Sequence, residues 1–115
     1  MALKRSWIKK LIQELANEIS KQYRISEIIL FGSYAWGKPN DTSDIDIAVI
    51  SKSFQQLTDI ERIMYLTDCV RKLKITIPVG IDIIGFTPEE LNKANYFDLA
   101  GEIKEKGEVV YKKAA

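Results

Sequence analysis

Residues 28–37 read IILFGSYAWG and residues 43–50 read SDIDIAVI. The first stretch is an apolar run that ends in Gly32-Ser33, and the second opens with Asp44 and Asp46, one residue apart. Glycine lets backbone approach a ligand closely, and a helical turn that begins at Ser33 would point N–H groups at an anion. Carboxylates two positions apart share one face of a strand. We therefore expect these stretches to hold a phosphate and a metal ion side by side.

The order of elements around these stretches follows from periodicity and turn residues. We predict a buried strand over Glu27–Gly32, one helical turn over Ser33–Trp36 that stops at Gly37, and a second strand over Asp44–Ile50. Residues 38–43 form a loop by composition. In the second strand, period two puts the two aspartates on one face and the isoleucines on the other.

Helices are predicted on both sides of this segment. Residues 3–22 carry apolar side chains at three- and four-residue spacing, and Trp7 in that stripe is expected to pack on the sheet rather than to form a partner surface. A second helix starts at Ser53 or at Thr58, each of which has Gln or Glu three residues later. Its expected apolar stripe, which runs up to about residue 74, consists of Leu57, Ile60, Met64, Val70 and Leu73.

The C-terminal third is predicted to add a strand, two short helices and an edge strand. The strand covers Val79–Phe86 and carries Asp82. Thr87, followed by Pro and two Glu residues, is a strong helix start, and Asp98 caps a last helix that ends at Gly107. Residues 108–112 form the edge strand. Helices alternating with isoleucine-rich strands indicate an α/β or α+β fold in which helices cover a sheet.

The amino-acid composition limits which functions and catalytic mechanisms are possible. The 115 residues fit one domain, and the net charge of +1 provides no strong signal for duplex nucleic acid, although a local basic patch stays open. Histidine is absent, which excludes Ser-His, Cys-His and histidine acid–base catalysis.

Cys69 is the single cysteine and is expected to be buried. With no apolar run long enough for a membrane and no signal peptide, we expect a cytoplasmic protein.

Three aspartates stand in predicted apolar strands: Asp44, Asp46 and Asp82. A buried, unpaired carboxylate is costly, whereas clustered carboxylates stay ionised when a divalent cation lies between them. Hard oxygen ligands favour Mg²⁺ or Mn²⁺. If the third strand lies beside the second, Asp82 joins the other two. The alternative is that each aspartate pairs with Lys or Arg or faces water at a strand end.

The spacing between the Gly-Ser turn and the two aspartates makes this sequence motif specific. Ser33 is followed by ten residues and then by Asp-x-Asp. With Gly32, Ser33, Asp44, Asp46 and the later Asp82, the whole chain resembles the polymerase-beta-like nucleotidyltransferase superfamily, most closely its minimal nucleotidyltransferases. The resemblance implies a mixed β-sheet flanked by helices and one minimal nucleotidyltransferase domain over residues 1–115.

The resemblance also implies an activity. Members use ATP or another nucleoside triphosphate, and many act as antitoxins to a helical HEPN-type RNase toxin, some by transferring AMP to a tyrosine of that toxin. By this resemblance Asp44 and Asp46 would ligate two Mg²⁺ ions and Asp82 the ion nearer the nucleophile. Gly32 and Ser33 would hold the β- and γ-phosphates. The C-terminus looks too short for an acceptor domain, so we expect the acceptor from another chain, either a HEPN-type partner or a second copy in a homodimer.

Two positions depart from the pattern or leave it incomplete. Trp36 stands where many relatives carry arginine, and it either packs against the helical turn or stacks on a base. No motif identifies the cation that would balance the triphosphate, and Lys38 is the nearest candidate. Two other functions stay open: a non-catalytic antitoxin that covers its toxin, and adenylylation of a small molecule such as an aminoglycoside.

Overall fold

The structure is a computed structural model that describes residues 3–40, 42–94 and 98–113. Helices and strands alternate along most of the chain, close to the predicted order. The elements are α1 (Arg5–Ser20), β1 (Glu27–Phe31), α2 (Ser33–Trp36), β2 (Ile45–Ile50), a 3-10 helix (Lys52–Gln56), α3 (Asp59–Arg71), β3 (Ile81–Phe86), α4 (Pro88–Asn92), α5 (Leu99–Lys106) and β4 (Glu108–Lys112).

The strands of the described residues form one sheet in the order β3-β2-β1-β4. Strand β1 runs antiparallel to β2 and to β4, whereas β2 and β3 run parallel. A parallel pair needs a crossover, and α3 provides it. The mixed sheet flanked by helices is therefore confirmed, and β4 is an edge strand as predicted.

Each face of the sheet is covered by a different pair of helices. On one face, α1 and α3 pack over Ile45, Ile47 and Val49 of β2. On the other face, α4 and α5 pack over Ala48 and Ile50. Because side chains alternate along a strand, Asp46 points to the α4–α5 side. That alternation was predicted, and it decides which layer contains the candidate site.

Helix starts agree with the capping signals. Thr58 and Thr87 each form a complete capping box, with Glu61 and Glu90, and Asp98 caps α5, which ends at Gly107. The alternative start at Ser53 is wrong. Ser53 lies inside the 3-10 helix, whose N-cap is the buried Ser51.

The predicted apolar stripe of α3 is wrong in part. Ile60 and Met64 are 69% and 66% exposed, whereas Arg62, Leu66 and Cys69 are buried. The prediction from the hydrophobic pattern failed because the inward face of α3 begins with Arg62. The guanidinium of Arg62 donates hydrogen bonds to acceptors in the protein interior. The buried Cys69 and the packing of Trp7 against the core are confirmed. No helix of the described residues is long and apolar enough to cross a bilayer.

Candidate active site

The centre of the candidate site is the pair Asp46 and Asp82. In the parallel register of β2 and β3, Asp46 is aligned with Asp82, so both side chains lie on the same face of adjacent strands. Asp46 is half-buried and Asp82 is exposed. The condition that the third strand lie beside the second is therefore met, and two of the three predicted carboxylates are neighbours.

Gly32 lies against the Asp46 carboxylate. Its φ of 70° ends β1 and starts α2, and this is a left-handed conformation that favours glycine. A Cβ on Gly32 would fall 2.0 Å from Asp46 Oδ2. The carbonyl of Gly32 accepts hydrogen bonds from the N–H groups of Ala35 and Trp36 at 3.0 and 3.1 Å. The turn that follows the glycine therefore begins beside a carboxylate, as the sequence pattern predicted.

Asp44 lies just outside the strand in which it was expected. Strand β2 begins at Ile45, and Asp44 is exposed. A Cβ on Gly80 would fall 2.5 Å from Asp44 Oδ1, so the Asp44 carboxylate rests on the backbone that leads into β3. The expectation that all three aspartates are buried in strands is therefore wrong for Asp44 and for the exposed Asp82. Of the three aspartates, Asp46 is the one whose carboxylate is partly buried and therefore carries a cost of desolvation.

The electrostatics of the site are centred on Asp46. Burial, repulsion from Asp82, a hydrogen bond with Asp82 and repulsion from Asp44 raise the pKa of Asp46 to about 6. A carboxylate with such a pKa lies where negative charge is crowded and positive charge is lacking. A cation or a proton at this place would relieve the repulsion.

Comparison with known proteins identifies the family of the chain. The model of a family described as "Polymerase beta, Nucleotidyltransferase" matches residues 13–114. The chain belongs to this nucleotidyltransferase family. The resemblance drawn from Gly32, Ser33 and the three aspartates is confirmed at this level.

Related proteins agree with the family. The chain is 35% identical over 104 residues to a Methanocaldococcus jannaschii protein named "Putative protein adenylyltransferase", covering 89% of this chain and 96% of the relative. A second protein of that organism with the same kind of name is 32% identical over 79 residues, which is 69% of this chain and 85% of the relative.

Two solved structures share the fold. One is described as "a putative nucleotidyltransferase from Sulfolobus solfataricus", with a TM-score of 0.64 and 24% identity over 98% of this chain and 93% of the other. The other is described as "the toxin-antitoxin with AMP-PNP", with a TM-score of 0.54 and 22% identity over 91% of this chain and 73% of the other. At these identities the likeness concerns the nucleotidyltransferase fold.

The donor set of this candidate site fits a hard divalent cation. Asp44, Asp46 and Asp82 offer carboxylate oxygens, which Mg²⁺ and Mn²⁺ prefer. Among the residues that the structure describes, no three Asp, Glu, Cys or His side chains already form a group that could hold a metal ion. Asp46 and Asp82 are aligned on adjacent strands, whereas Asp44 lies before β2, against Gly80. The chemistry of the ligands fits, and their side-chain positions would have to adjust.

The remaining predicted residues lie in α2 and in the loop that follows it. Ser33 is the first residue of α2 and is half-buried. Lys38 is exposed in the loop that follows α2. Trp36 is 40% exposed, and its ring centroid lies 6.4 Å from that of Phe31 at an interplanar angle of 32°. Trp36 therefore packs on Phe31 at the end of β1, whereas the prediction was packing against the helical turn, and the residue stays partly exposed to solvent.

A cavity of about 290 Å³ opens beside Asp46 and Asp82. Its apolar walls are Phe31, Ile83, Ile84 and Leu99. Sequence reasoning missed this lining. Phe31 could have been found, because it precedes the Gly-Ser turn and is aligned with Asp46 in the antiparallel register. Leu99 could not, because only the packing of α5 brings it to the site.

Sequence reasoning also missed Arg62. It is 5% exposed, and its Nε donates to the Phe54 carbonyl at 3.0 Å. Its Nη1 donates to the Gly85 carbonyl at 3.3 Å and to Glu90 at 2.6 Å. Burial alone would raise the pKa of Glu90, but hydrogen bonds from Arg62 and Thr87 hold it below its usual value. Arg62 thus joins the 3-10 helix, β3 and α4, and supports the strand that carries Asp82.

Proposed function

We propose that the chain transfers AMP from ATP to a hydroxyl group of another protein. The observation that carries this proposal is the pairing of Asp46 with Asp82 on adjacent strands, with Asp46 against the backbone of Gly32. This arrangement puts carboxylates next to a turn that can receive a phosphate. The relatives named as protein adenylyltransferases, one of them matched over 96% of its length, support AMP as the group and a protein as its acceptor.

Each residue has a role in this proposal. Gly32 and Ser33 hold the β- and γ-phosphates, and Lys38, exposed in the loop after α2, adds positive charge. Asp44, Asp46 and Asp82 would hold two Mg²⁺ ions, which Mn²⁺ could replace. When bound, the metal neutralises phosphate charge and makes the acceptor hydroxyl more acidic. No histidine is available to do this.

The reaction is a displacement at phosphorus. The acceptor oxygen attacks the α-phosphorus of ATP, the bond to the bridging oxygen breaks, and pyrophosphate leaves with the electron pair. Asp82, which is the more exposed of the central pair, receives the proton of the hydroxyl. The protein contributes alignment and electrostatic stabilisation rather than covalent chemistry. The walls formed by Phe31 and Leu99 shield the reacting groups on the side of α5.

The acceptor in this proposal is a tyrosine of a HEPN-type toxin, and the chain acts as its antitoxin in the cytoplasm. The partner class comes from the resemblance, and the toxin–antitoxin neighbour shares the fold. One feature of the structure supports a protein partner. Ile60, Ile63 and Met64 are exposed at helical spacing on α3, and apolar side chains grouped on a surface often mark an interface.

The test of catalysis is label transfer from α-labelled ATP with Mg²⁺ and the co-purified partner. We expect Asp46→Asn to reduce transfer at least 100-fold, because it removes charge at the centre of the site. The control is Glu14→Gln on α1, which packs on the other face of the sheet and should retain wild-type activity. Equal transfer by wild type and Asp46→Asn would refute the proposal. ATP binding without transfer to any partner would favour the non-catalytic antitoxin.

The acceptor needs a separate test. Mass spectrometry of the labelled partner should locate AMP on a tyrosine, and replacing that tyrosine with Phe should abolish labelling. The double variant Ile60→Glu/Met64→Glu should lose partner labelling while ATP binding stays at the wild-type level. Labelling of a small hydroxyl compound instead of the partner would contradict the protein acceptor and favour a small-molecule adenylyltransferase.

A further inference from the structure

A groove of about 720 Å³ lies at the end of the sheet away from the carboxylates. It is lined by the segment that enters β1, by the 3-10 helix and by the end of β4. In the sheet register, Glu27 in the groove is aligned with Ile50 and Lys112, whereas Phe31 is aligned with Asp46. Four residues of strand separate the two places, roughly 14 Å at about 3.4 Å per residue. The groove is therefore distinct from the candidate active site.

The groove concentrates positive charge. Its lining contains Arg24, Lys52, Lys112 and Lys113 against the single carboxylate of Glu27. These residues carry a net charge of +3, while the whole chain carries +1, so all other residues together carry −2. The net charge of the whole chain is therefore small although the groove is positive and the remaining residues together are negative.

These cations have no carboxylate partners within the described ranges. The ion pairs there involve other basic residues, such as Arg5 with Glu108 and Lys72 with Asp68. Four basic residues from three separate segments line one groove that contains a single carboxylate. Such an arrangement repels itself and attracts an anion with several charges.

We propose that this groove binds the phosphate backbone of a single-stranded nucleic acid. Arg24, Lys52, Lys112 and Lys113 contact successive phosphates. Hydroxyl and amide groups donate further hydrogen bonds to phosphate and sugar, and they belong to Ser26, Ser53, Gln55 and Gln56. Among the residues that the structure describes, the groove lining has no aromatic side chain on which bases could stack, so recognition follows the backbone and is tolerant of sequence.

Composition favours a nucleic acid over an acidic protein segment. Protein interfaces are enriched in aromatic residues and depleted of Lys and Ser at their centre, whereas this groove has three lysines, two serines and no aromatic residue. Lysines together with Ser and Gln are the usual donors to phosphate and sugar. A positively charged groove that tracks the backbone is a usual way of binding a single strand without sequence preference.

The test uses fluorescence anisotropy with a labelled oligouridylate of twelve nucleotides, without ATP. We expect log affinity to fall with log salt at a slope of about −2 to −3, as three to four phosphate contacts require. The variant Lys52→Glu/Lys113→Glu should bind at least tenfold more weakly. Both side chains are exposed and lie outside the strands, so the fold should be retained, which circular dichroism would verify.

The matched control is Lys9→Glu/Lys10→Glu on α1, which changes the total charge equally at two exposed positions outside the groove. It should bind within threefold of wild type. Equal weakening by both double variants would overturn the proposal, as would undetectable binding at low salt. Competition by a glutamate peptide of equal length and equal affinity would overturn it in favour of an acidic protein segment.

Discussion

The Asp46 carboxylate lies so close to Gly32 that a methyl group on the glycine would fall 2.0 Å from Asp46 Oδ2. Gly32 also has a φ of 70°, and no other described residue has a positive φ. Conformation and contact therefore both require glycine. The same residue ends β1, starts α2 and leaves space for a carboxylate, so a change there should disturb the strand end and the site together.

We predict that Gly32→Ala will reduce label transfer at least 100-fold and the free energy of unfolding by about 1–3 kcal/mol. The methyl group must displace Asp46, and the backbone conformation of Gly32, with φ 70° and ψ −154°, costs a residue with a Cβ about 1–3 kcal/mol. Chemical denaturation and the α-labelled ATP assay would measure the two effects.

Gly80→Ala is the matched control for backbone strain. Its Cβ would meet Asp44 Oδ1 at 2.5 Å, and its φ is not in the left-handed region. It should therefore impair transfer while changing stability less than Gly32→Ala does. If Gly32→Ala retains full activity, the close approach of Gly32 and Asp46 has no functional meaning.

Stability of the metal-free protein should depend on pH through Asp46. Its pKa is about 6 in the folded chain against an ordinary value of 3.8. The folded state then binds more protons than the unfolded state between these values, so stability rises as pH falls. From pH 7 to pH 5 we expect a gain of about 1 kcal/mol or less, because partial exposure of the group reduces the effect. Thermal melts in EDTA would measure it.

Between pH 7 and pH 5, the expected change in stability comes from the titration of Asp46. The chain has no histidine, and the lowered pKa values of Glu61, Asp68, Glu89 and Glu90 mean that their contributions are lost only below the window. Asp46→Asn should make the melting temperature almost independent of pH between 5 and 7. Mg²⁺ should have the same effect, because a bound cation keeps Asp46 ionised. A wild-type melting temperature that falls on acidification from pH 7 to 5 would contradict the assignment.

Much of the fold could be predicted because local signals agreed with one another. Thr58, Thr87 and Asp98 are capping residues whose effect is local, and α2 begins and ends at the predicted residues 33 and 36. The Gly-Ser turn and the Asp-x-Asp spacing likewise depend on one short segment. They could be interpreted without knowing what packs against them.

The wrong or missing parts depend on tertiary contacts. The inward face of α3 was misjudged because Arg62 is buried by acceptors on three other elements, which no helical periodicity reveals. Leu99 reaches the site through the packing of α5. The basic groove assembles Arg24, Lys52 and Lys113 from distant segments. In each case, residues far apart in the chain become neighbours only in the folded sheet.

Arg62 should be one of the largest single contributors to stability. We predict that Arg62→Ala lowers the free energy of unfolding by about 3–5 kcal/mol, because buried carbonyls of Phe54 and Gly85 and the Glu90 carboxylate lose their donor. Arg62→Lys keeps the charge but not the planar donor geometry, and should recover only part of the loss. Urea denaturation would measure both.

Arg71→Ala is the control for this prediction. Arg71 pairs with Asp68 in the last turn of α3, and its side chain is 75% exposed. Exposed ion pairs contribute little to stability, so the unfolding midpoint should hardly move. A similar loss for Arg62→Ala and Arg71→Ala would mean that the buried network around Arg62 has no special weight.

Substitutions of Trp36 can distinguish a structural role of its side chain from a role in nucleotide binding. Its ring lies 6.4 Å from Phe31 and is 40% exposed, so we predict that packing is its main contribution. Trp36→Ala should lower the free energy of unfolding by about 1 kcal/mol, the usual size for an aromatic pair. Its affinity for ATP, measured by calorimetry, should stay within threefold of wild type. A tenfold loss of ATP affinity in Trp36→Ala that Trp36→Phe restores would instead assign the ring to base stacking, because both aromatic rings can stack and the methyl group cannot.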